Sequence, residues 1–278
     1  MSPTATSAVG RWRLFAIMVV IVVIINFPII VIVANSFQTT EQIMMSRSVI
    51  PQHFSLANYQ FLWSQTSFLR FLLNSVIVSG GSMLCGIVAA SMAGYALSRF
   101  KGPVLSIYSK ALFVIQMFPI ILALIPLFMV FRALELVNSP IPVIIIYTVV
   151  HLPFATWMAK AFFDTIPREL EEAALVDGCS KFQAFIRIVL PLSGPGMAAV
   201  SIFSFLFSYN EFFVGSVFLR DESAMTVPIG MQMFMQQFAT DWGSLMAAAT
   251  LAVIPTFILF LMVQKYITYG AVAGGVKG

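Results

Sequence analysis

The residues that invite a chemical reading first lie between two long apolar stretches: Asp164-Thr165-Ile166-Pro167-Arg168-Glu169-Leu170-Glu171-Glu172-Ala173-Ala174-Leu175-Val176-Asp177-Gly178. Pro167 suits a first helical turn, and the acids follow where the positive end of a helix dipole favours negative charge. Gly178 suits a left-handed stop. Ser180 and Gln183 stand at capping-box spacing, which predicts a second short helix running towards Pro191. The unit is therefore helix, glycine turn, helix. Leu170, Ala173, Ala174 and Val176 lie among the acids of its first helix, giving that helix an amphipathic surface suited to docking on a partner. A helix-turn-helix can also read DNA, but only Lys181 and Arg187 lie on the second helix. Phosphate neutralisation needs more cations than that, so nucleic acid is excluded as a partner.

A second group of candidates sits inside the apolar stretches. Ser201, Ser204, Ser208, Glu211 and Gly215 recur at helical spacing; a polar stripe ending in a carboxylate is costly against lipid and should face protein or a water-filled cavity. With Tyr209 and Asn210 beside it, Glu211 is a candidate for hydrogen bonding sugar hydroxyls or for bracing an external gate. His151 reads either as a proton-handling group or as a neutral, hydrogen-bonded histidine packed beside Pro153. Pro119 marks a kink or a gate element within another apolar stretch. No Ser/His/Asp set and no metal-ligand spacing appears in the sequence, so an intramembrane enzyme is disfavoured. Cys85 and Cys179 read as structural.

Elements long enough to position these residues are abundant. Sixty per cent of the chain is apolar and nine per cent charged, against roughly 25% charged in a soluble domain. Six apolar stretches, at 14–34, 71–97, 107–130, 141–161, 194–219 and 242–264, each approach or exceed the about 20 residues that cross a bilayer. The expected fold is an all-α membrane protein of six transmembrane helices in a single domain. Along 71–97, Ser75, Ser79, Ser82, Gly86, Ala90 and Ala93 form one small-residue face that permits close helix contact. Prolines 28, 119, 126, 153 and 255 fall inside the stretches and are tolerated within a bundle.

Six spans place both termini on one side, together with loops 98–106 and 162–193. That side and its helix ends carry Arg11, Arg13, Arg99, Lys101, Lys110, Lys160, Arg168, Lys181, Arg187, Lys265 and Lys277, against Arg47, Arg70, Arg132 and Arg220 opposite. The positive-inside rule makes the richer side cytoplasmic. Trp12, Trp63 and Trp242 near span ends suit interfacial anchoring.

Within the 162–193 loop, Glu172-Ala173-Ala174, three residues, Gly178, nine residues, Ile188, one residue, then Leu190-Pro191 resemble the signature loop of ABC importer permeases. The likeness extends over nearly the whole chain. Leu56-Ala57-Asn58-Tyr59, Leu152-Pro153-Phe154, Phe162-Phe163, Tyr209-Asn210-Glu211-Phe212, Thr226-Val227-Pro228-Ile229-Gly230, Asp241-Trp242-Gly243 and the tail Gly270 to Gly278 are similar to the second permease subunit of maltose-type carbohydrate importers. Tyr209 and Gly275 depart from that pattern, where Trp and Ala are usual. The resemblance implies that Glu171, Glu172, Ala173, Ala174, Asp177, Gly178, Leu190 and Pro191 belong to a coupling loop seated on a nucleotide-binding subunit. It further implies a homologous permease, two ATPase subunits and an extracytoplasmic solute-binding protein, in a prokaryotic inner membrane. The sequence has no G-x-x-x-x-G-K-[ST] loop, so no cofactor is expected on this chain and ATP and Mg belong to the partners. A carbohydrate (sugar, oligosaccharide or polyol) is the implied solute, with glycerol phosphate or another solute as the alternative. An ion-coupled carrier lacks support beyond His151.

Overall fold

The computed structural model describes residues 8–45, 51, 53–235 and 240–275; Arg47 and the closing Val276-Lys277-Gly278 lie outside the described residues. Apart from an isolated bridge between Met235 and Thr240, the described secondary structure is helical. In chain order it comprises α1 Ala8–Asn35, α2 Thr40–Met45, α3 Ala57–Ser64, α4 Phe68–Arg99, α5 Pro103–Met117, α6 Ile120–Ala133 and α7 Pro140–Asp164. There follow α8 Glu169–Val176, α9 Lys181–Leu192, α10 Gly194–Tyr209, α11 Phe213–Phe218, α12 Val227–Met231 and α13 Trp242–Gly275. The helices α1, α4, α7 and α13 are each long and apolar enough to cross a bilayer, and the bent pairs α5/α6 and α9/α10 bring the number to six if each counts as one span. This is an all-α, multi-pass membrane fold.

The chain divides into two compact units. One holds residues up to Thr66 together with Met233–Leu251. In it α1 exposes its apolar side chains from Trp12 onwards, with none of its most apolar stretch buried. Beyond α1 the unit is held by polar contacts: the Asn58 side-chain amide donates to the carbonyls of Ser36 (2.9 Å) and Gln38 (2.8 Å), and the Thr40 hydroxyl donates to Asp241 at 2.6 Å. Gly243 lies so near Asn58 that a Cβ there would come within 2.7 Å of its Oδ1. Two sequence stretches far apart in the chain, 56–59 and 241–243, are thus packed together.

The other unit holds Ser67–Gln232 and the chain from Ala252. Its core is α4 packed lengthwise on α7, with α10 against both. The small-residue face of α4 makes this possible: Ser75, Ser79, Ser82, Gly86 and Ala90 are buried, whereas the large residues Leu84, Val88 and Met92 point outward. In a bilayer, where apolar burial gives helices no preference for one another over lipid, such close backbone approach and interhelical hydrogen bonds drive association.

Three stretches differ from their sequence expectation. The third apolar stretch is not one helix: α5 and α6 meet at Phe118 and Pro119 with a 96° bend. The fifth breaks after Tyr209 and resumes at Phe213, so Ser201, Ser204 and Ser208 lie on one helix while Glu211 and Gly215 do not continue its stripe. Pro167 precedes α8 without entering it, Arg168 being the N-cap, and α9 passes through Pro191 to Leu192, with π-helical hydrogen bonding over Phe185–Val189. Pro28, Pro126, Pro153 and Pro255, by contrast, sit inside helices that run on past them.

Candidate functional site

The loop between α7 and α10 folds as its caps dictate. Gly178 has φ +87°, a left-handed conformation that a side chain resists. Its N–H donates to Leu175 O (3.1 Å), while Cys179 N–H reaches back to Ala174 O (2.9 Å). This paired pattern closes a helix end at a left-handed glycine. Two residues on, the Ser180 hydroxyl accepts from Gln183 N–H (3.2 Å) and the Gln183 side chain accepts from Ser180 N–H (2.9 Å), a complete capping box that starts α9. The result is a rigid elbow.

Its acids have different fates. Glu169, Glu172 and Asp177 are exposed, as are Ala173 and Pro191, while Ala174 is buried and Leu190 half-buried. Glu171 is turned inward: it pairs with Arg99 at the end of α4 and accepts from the Tyr95 hydroxyl at 2.8 Å. Arg99 also donates to Ile166 O (2.9 Å), Arg168 donates to Ser98 O (3.2 Å), and Ser98 donates to Asp164 (2.6 Å), which pairs with Lys160. Beneath these contacts Ala90, Ala155, Ala159, Phe163, Ile166, Phe185, Val189 and Val200 form one apolar cluster. On the outer side of the elbow, Leu170, Val176, Phe182 and Ile186 remain exposed, Val176 at 88%.

A second constellation lies midway along α4, α7 and α10. His151 is 1% exposed; its Nε2 is 3.0 Å from Ser82 Oγ and its Nδ1 3.4 Å from Ser204 Oγ. Ser208 donates to Ser82 at 3.0 Å. A neutral imidazole, with one donor and one acceptor, satisfies this hydroxyl set without a counter-ion. Gly86 touches the same ring, so His151 bridges three helices as a packed core residue. Beside it opens a pocket of about 580 Å³ whose lining includes Gln116, Phe118, Phe154, Phe203 and Phe207.

Glu211 sits apart from both groups. Its carboxylate accepts from the Tyr147 hydroxyl (2.6 Å), from Val214 N–H (3.1 Å) and from Gly215 N–H (3.3 Å), so it satisfies the first amides of α11 and ties them to α7. The Tyr209 hydroxyl donates to Ala252 O (2.9 Å) while its ring stacks on Phe205 at 5.4 Å. Asn210 is exposed and donates to Leu206 O at 2.9 Å. Pro119 is exposed at the N-cap of α6. The structure thus brings Ser204, Ser208 and His151 together and sets Glu171, Glu172, Ala173, Ala174, Asp177 and Gly178 along α8 and its cap, with Leu190 and Pro191 near the end of α9, but leaves Pro119, Asn210 and Glu211 elsewhere. Sequence reasoning missed Tyr95, Ser98, Arg99 and Tyr147. Arg99 entered it only as a cytoplasmic charge; the acid it neutralises lies 72 residues away, beyond any local pattern. Among the described residues no group of three or more potential metal ligands converges.

Residues 82–269 match the family described as the binding-protein-dependent transport system inner membrane component. The chain is 34% identical over 253 residues to the sulfoquinovosyl glycerol transport system permease protein SmoH of Agrobacterium fabrum, covering 91% of this chain and 89% of that protein. It is 31% identical to the diacetylchitobiose uptake system permease protein NgcG of Streptomyces coelicolor, covering 94% and 86%. Among solved structures, one chain of a bacterial ABC transporter involved in import of the acidic polysaccharide alginate superposes with a TM-score of 0.76 at 18% identity, covering 96% of this chain and 99% of that one.

Proposed function

Since the chain belongs to the family of binding-protein-dependent transport system inner membrane components, we propose that it is the second permease subunit of a maltose-type carbohydrate importer. It moves its solute inward by alternating access between two arrangements of the helix bundle. It pairs with a homologous permease, two ATPase subunits and an extracytoplasmic solute-binding protein, and all ATP and Mg chemistry takes place on the ATPase subunits. It lies in the inner membrane with both termini and the 162–193 loop in the cytoplasm, as the Lys and Arg asymmetry supports.

The observation that carries this reading is the elbow itself. Its signature residues Glu172, Ala173, Ala174, Leu190 and Pro191 occupy two helices locked by a capping box and by the left-handed turn at Gly178. Its free side offers apolar side chains among carboxylates. Such a surface suits a groove on a protein partner and is poorly suited to lipid. The curated relatives named for sulfoquinovosyl glycerol and diacetylchitobiose support a sugar-containing solute. The open pocket beside His151, whose ring contacts Ser204 while Ser208 bonds Ser82, is assigned to the solute path. Pro119 at the α5/α6 break, and Tyr209, Asn210 and Glu211 at the break after α10, are assigned to the gate and not to the lining of that pocket.

The test is to purify the intact complex and screen solutes, with the binding protein present, for stimulation of ATP hydrolysis. A carbohydrate response is expected; a response to a glycerol phosphate or another solute alone would overturn the carbohydrate assignment. Orientation is read from Cys179, which is partly exposed. A membrane-impermeant maleimide should label it in inside-out vesicles and spare it in right-side-out ones.

A further inference from the structure

By chain connectivity, a push on the elbow would enter the bundle through α7, which precedes it, or α10, which follows. Both covalent routes are bent. Between α7 and α8 the segment 165–168 is non-helical, and α9 meets α10 at 78°. The straight and buried route runs sideways, to α4. Glu171 and Arg99 form an ion pair whose side chains are only 11% and 7% exposed. The Tyr95 hydroxyl holds the second oxygen of the same carboxylate, and its ring lies 4.5 Å from Phe185 of α9, centroid to centroid. One turn of α4 therefore grips both helices of the elbow. Its Arg99 also holds the carbonyl of Ile166, and Ser98 accepts from Arg168 through its carbonyl, so the same turn fastens the linker as well.

We propose that Arg99 and Tyr95 are positioning residues that make α4 the receiving helix of the coupling elbow, so that α8 and α4 move as one body when the ATPase subunits close. This rests on the proposed function above. A buried ion pair with both partners hydrogen-bonded is stiff in a way that an exposed pair is not. Both side chains are largely withdrawn from solvent, so little water stands ready to replace either partner and separating them leaves both charges under-satisfied. The exposed Lys160–Asp164 pair, at 28% and 43% exposure, lacks that property. The elbow's other acids, being exposed, are free for the partner. Glu171 is the one turned inward to its own chain.

The two native cysteines provide the test without engineering, because Cys85 lies exposed on α4 and Cys179 partly exposed at the elbow. Spin labels at both report the α4-to-elbow distance in the reconstituted complex, nucleotide-free and after trapping with ATP and vanadate. In the unmodified chain the distance distribution should be the same in both states, while the environment of the label at Cys85 changes on trapping. In Arg99→Gln the distribution should broaden or shift on trapping and the change at Cys85 should fall at least several-fold. Arg99→Lys, which keeps the charge, should recover part of both. Tyr95→Phe, which keeps the ring on Phe185, should give a smaller effect of the same kind, and it decides the matter if Arg99→Gln does not assemble. A distance that changes in the unmodified chain, or stays fixed in the assembled variant, overturns the proposal. Failure of the unmodified chain to co-purify with ATPase subunits would instead overturn the proposed function, so the two failures are distinct.

Discussion

Replacing Gly86 by alanine adds a single methyl group at the point where α4 meets α7. A Cβ at Gly86 would sit 2.3 Å from Cε1 of His151 and 3.2 Å from its Nε2, so ring or helix must move by about 1 Å to restore contact distance. The ring cannot swing freely, being held between Ser82 and Ser204. Overpacking of this kind costs roughly 1–3 kcal/mol. Alanine also gains about 1 kcal/mol over glycine inside a helix, which would mask part of the effect. Gly80, on the same helix, removes that ambiguity, because a Cβ there meets nothing within 4 Å. Gly80→Ala carries the propensity gain alone. The difference between the two variants isolates the clash, and is expected to be about 1–3 kcal/mol, or roughly five- to 150-fold in the unfolding equilibrium. Reversible unfolding of the purified subunit in mixed micelles titrated with dodecyl sulfate measures it. In Gly86→Ala with His151→Ala the clash disappears, so the double variant should be more stable than the two single losses predict. Equal shifts for Gly80→Ala and Gly86→Ala, or strict additivity with His151→Ala, would refute the packing argument.

Further outcomes follow from geometry already described. Gly178→Asp places a side chain at φ +87°, a strain of about 1–2 kcal/mol confined to the elbow; the variant should reach the membrane in normal amount yet lose most solute uptake, as scored by immunoblot and transport together. Glu211→Gln weakens the acceptor for the Tyr147 hydroxyl and the α11 amides, so it should lower the melting temperature of the complex by more than Tyr147→Phe, which removes a single donor. At Asp241 burial alone would raise the carboxyl, but hydrogen bonds from Ser244, Thr40 and the backbone of Ser244 and Gly243 outweigh it and hold the group below its ordinary range. With the folded value depressed, its stabilisation is fully present above the unfolded value of about 3.9 and is lost as pH falls through the folded one. Melting temperature plotted against pH should accordingly fall less steeply on the acid side in Asp241→Asn than in the unmodified chain.

What could be read from sequence was local. Apolar length found the long helices, and the Ser180–Gln183 spacing and Gly178 gave the elbow, because capping boxes and left-handed turns are decided by residues within one turn of each other. The alternation of small residues from Ser75 to Ala90 likewise identified the buried face of α4. Pro119 marks a kink or gate in the third stretch, but the 96° size of the bend was hidden, because both halves are apolar and hydropathy carries no information on direction. Helical spacing counted Glu211 into the Ser201–Ser208 stripe, although the helix ends first and the carboxylate serves the next one. Arg99 and Glu171 were invisible as a pair, since only the packing of α4 along α7 brings them together.

The broken third stretch has a consequence for how such a chain lives in a cell. Fifteen residues of α5 and fourteen of α6 reach about 22 and 21 Å at 1.5 Å per residue, each short of the about 30 Å of hydrocarbon. At their junction the regular amide ladder stops between two greasy segments, a place lipid tails cannot solvate. A copy made in excess of its companions therefore shows the bilayer a defect that only a neighbouring subunit or enclosed water can heal. Surplus chain is expected to be short-lived, which would let the scarcest component set the number of finished transporters.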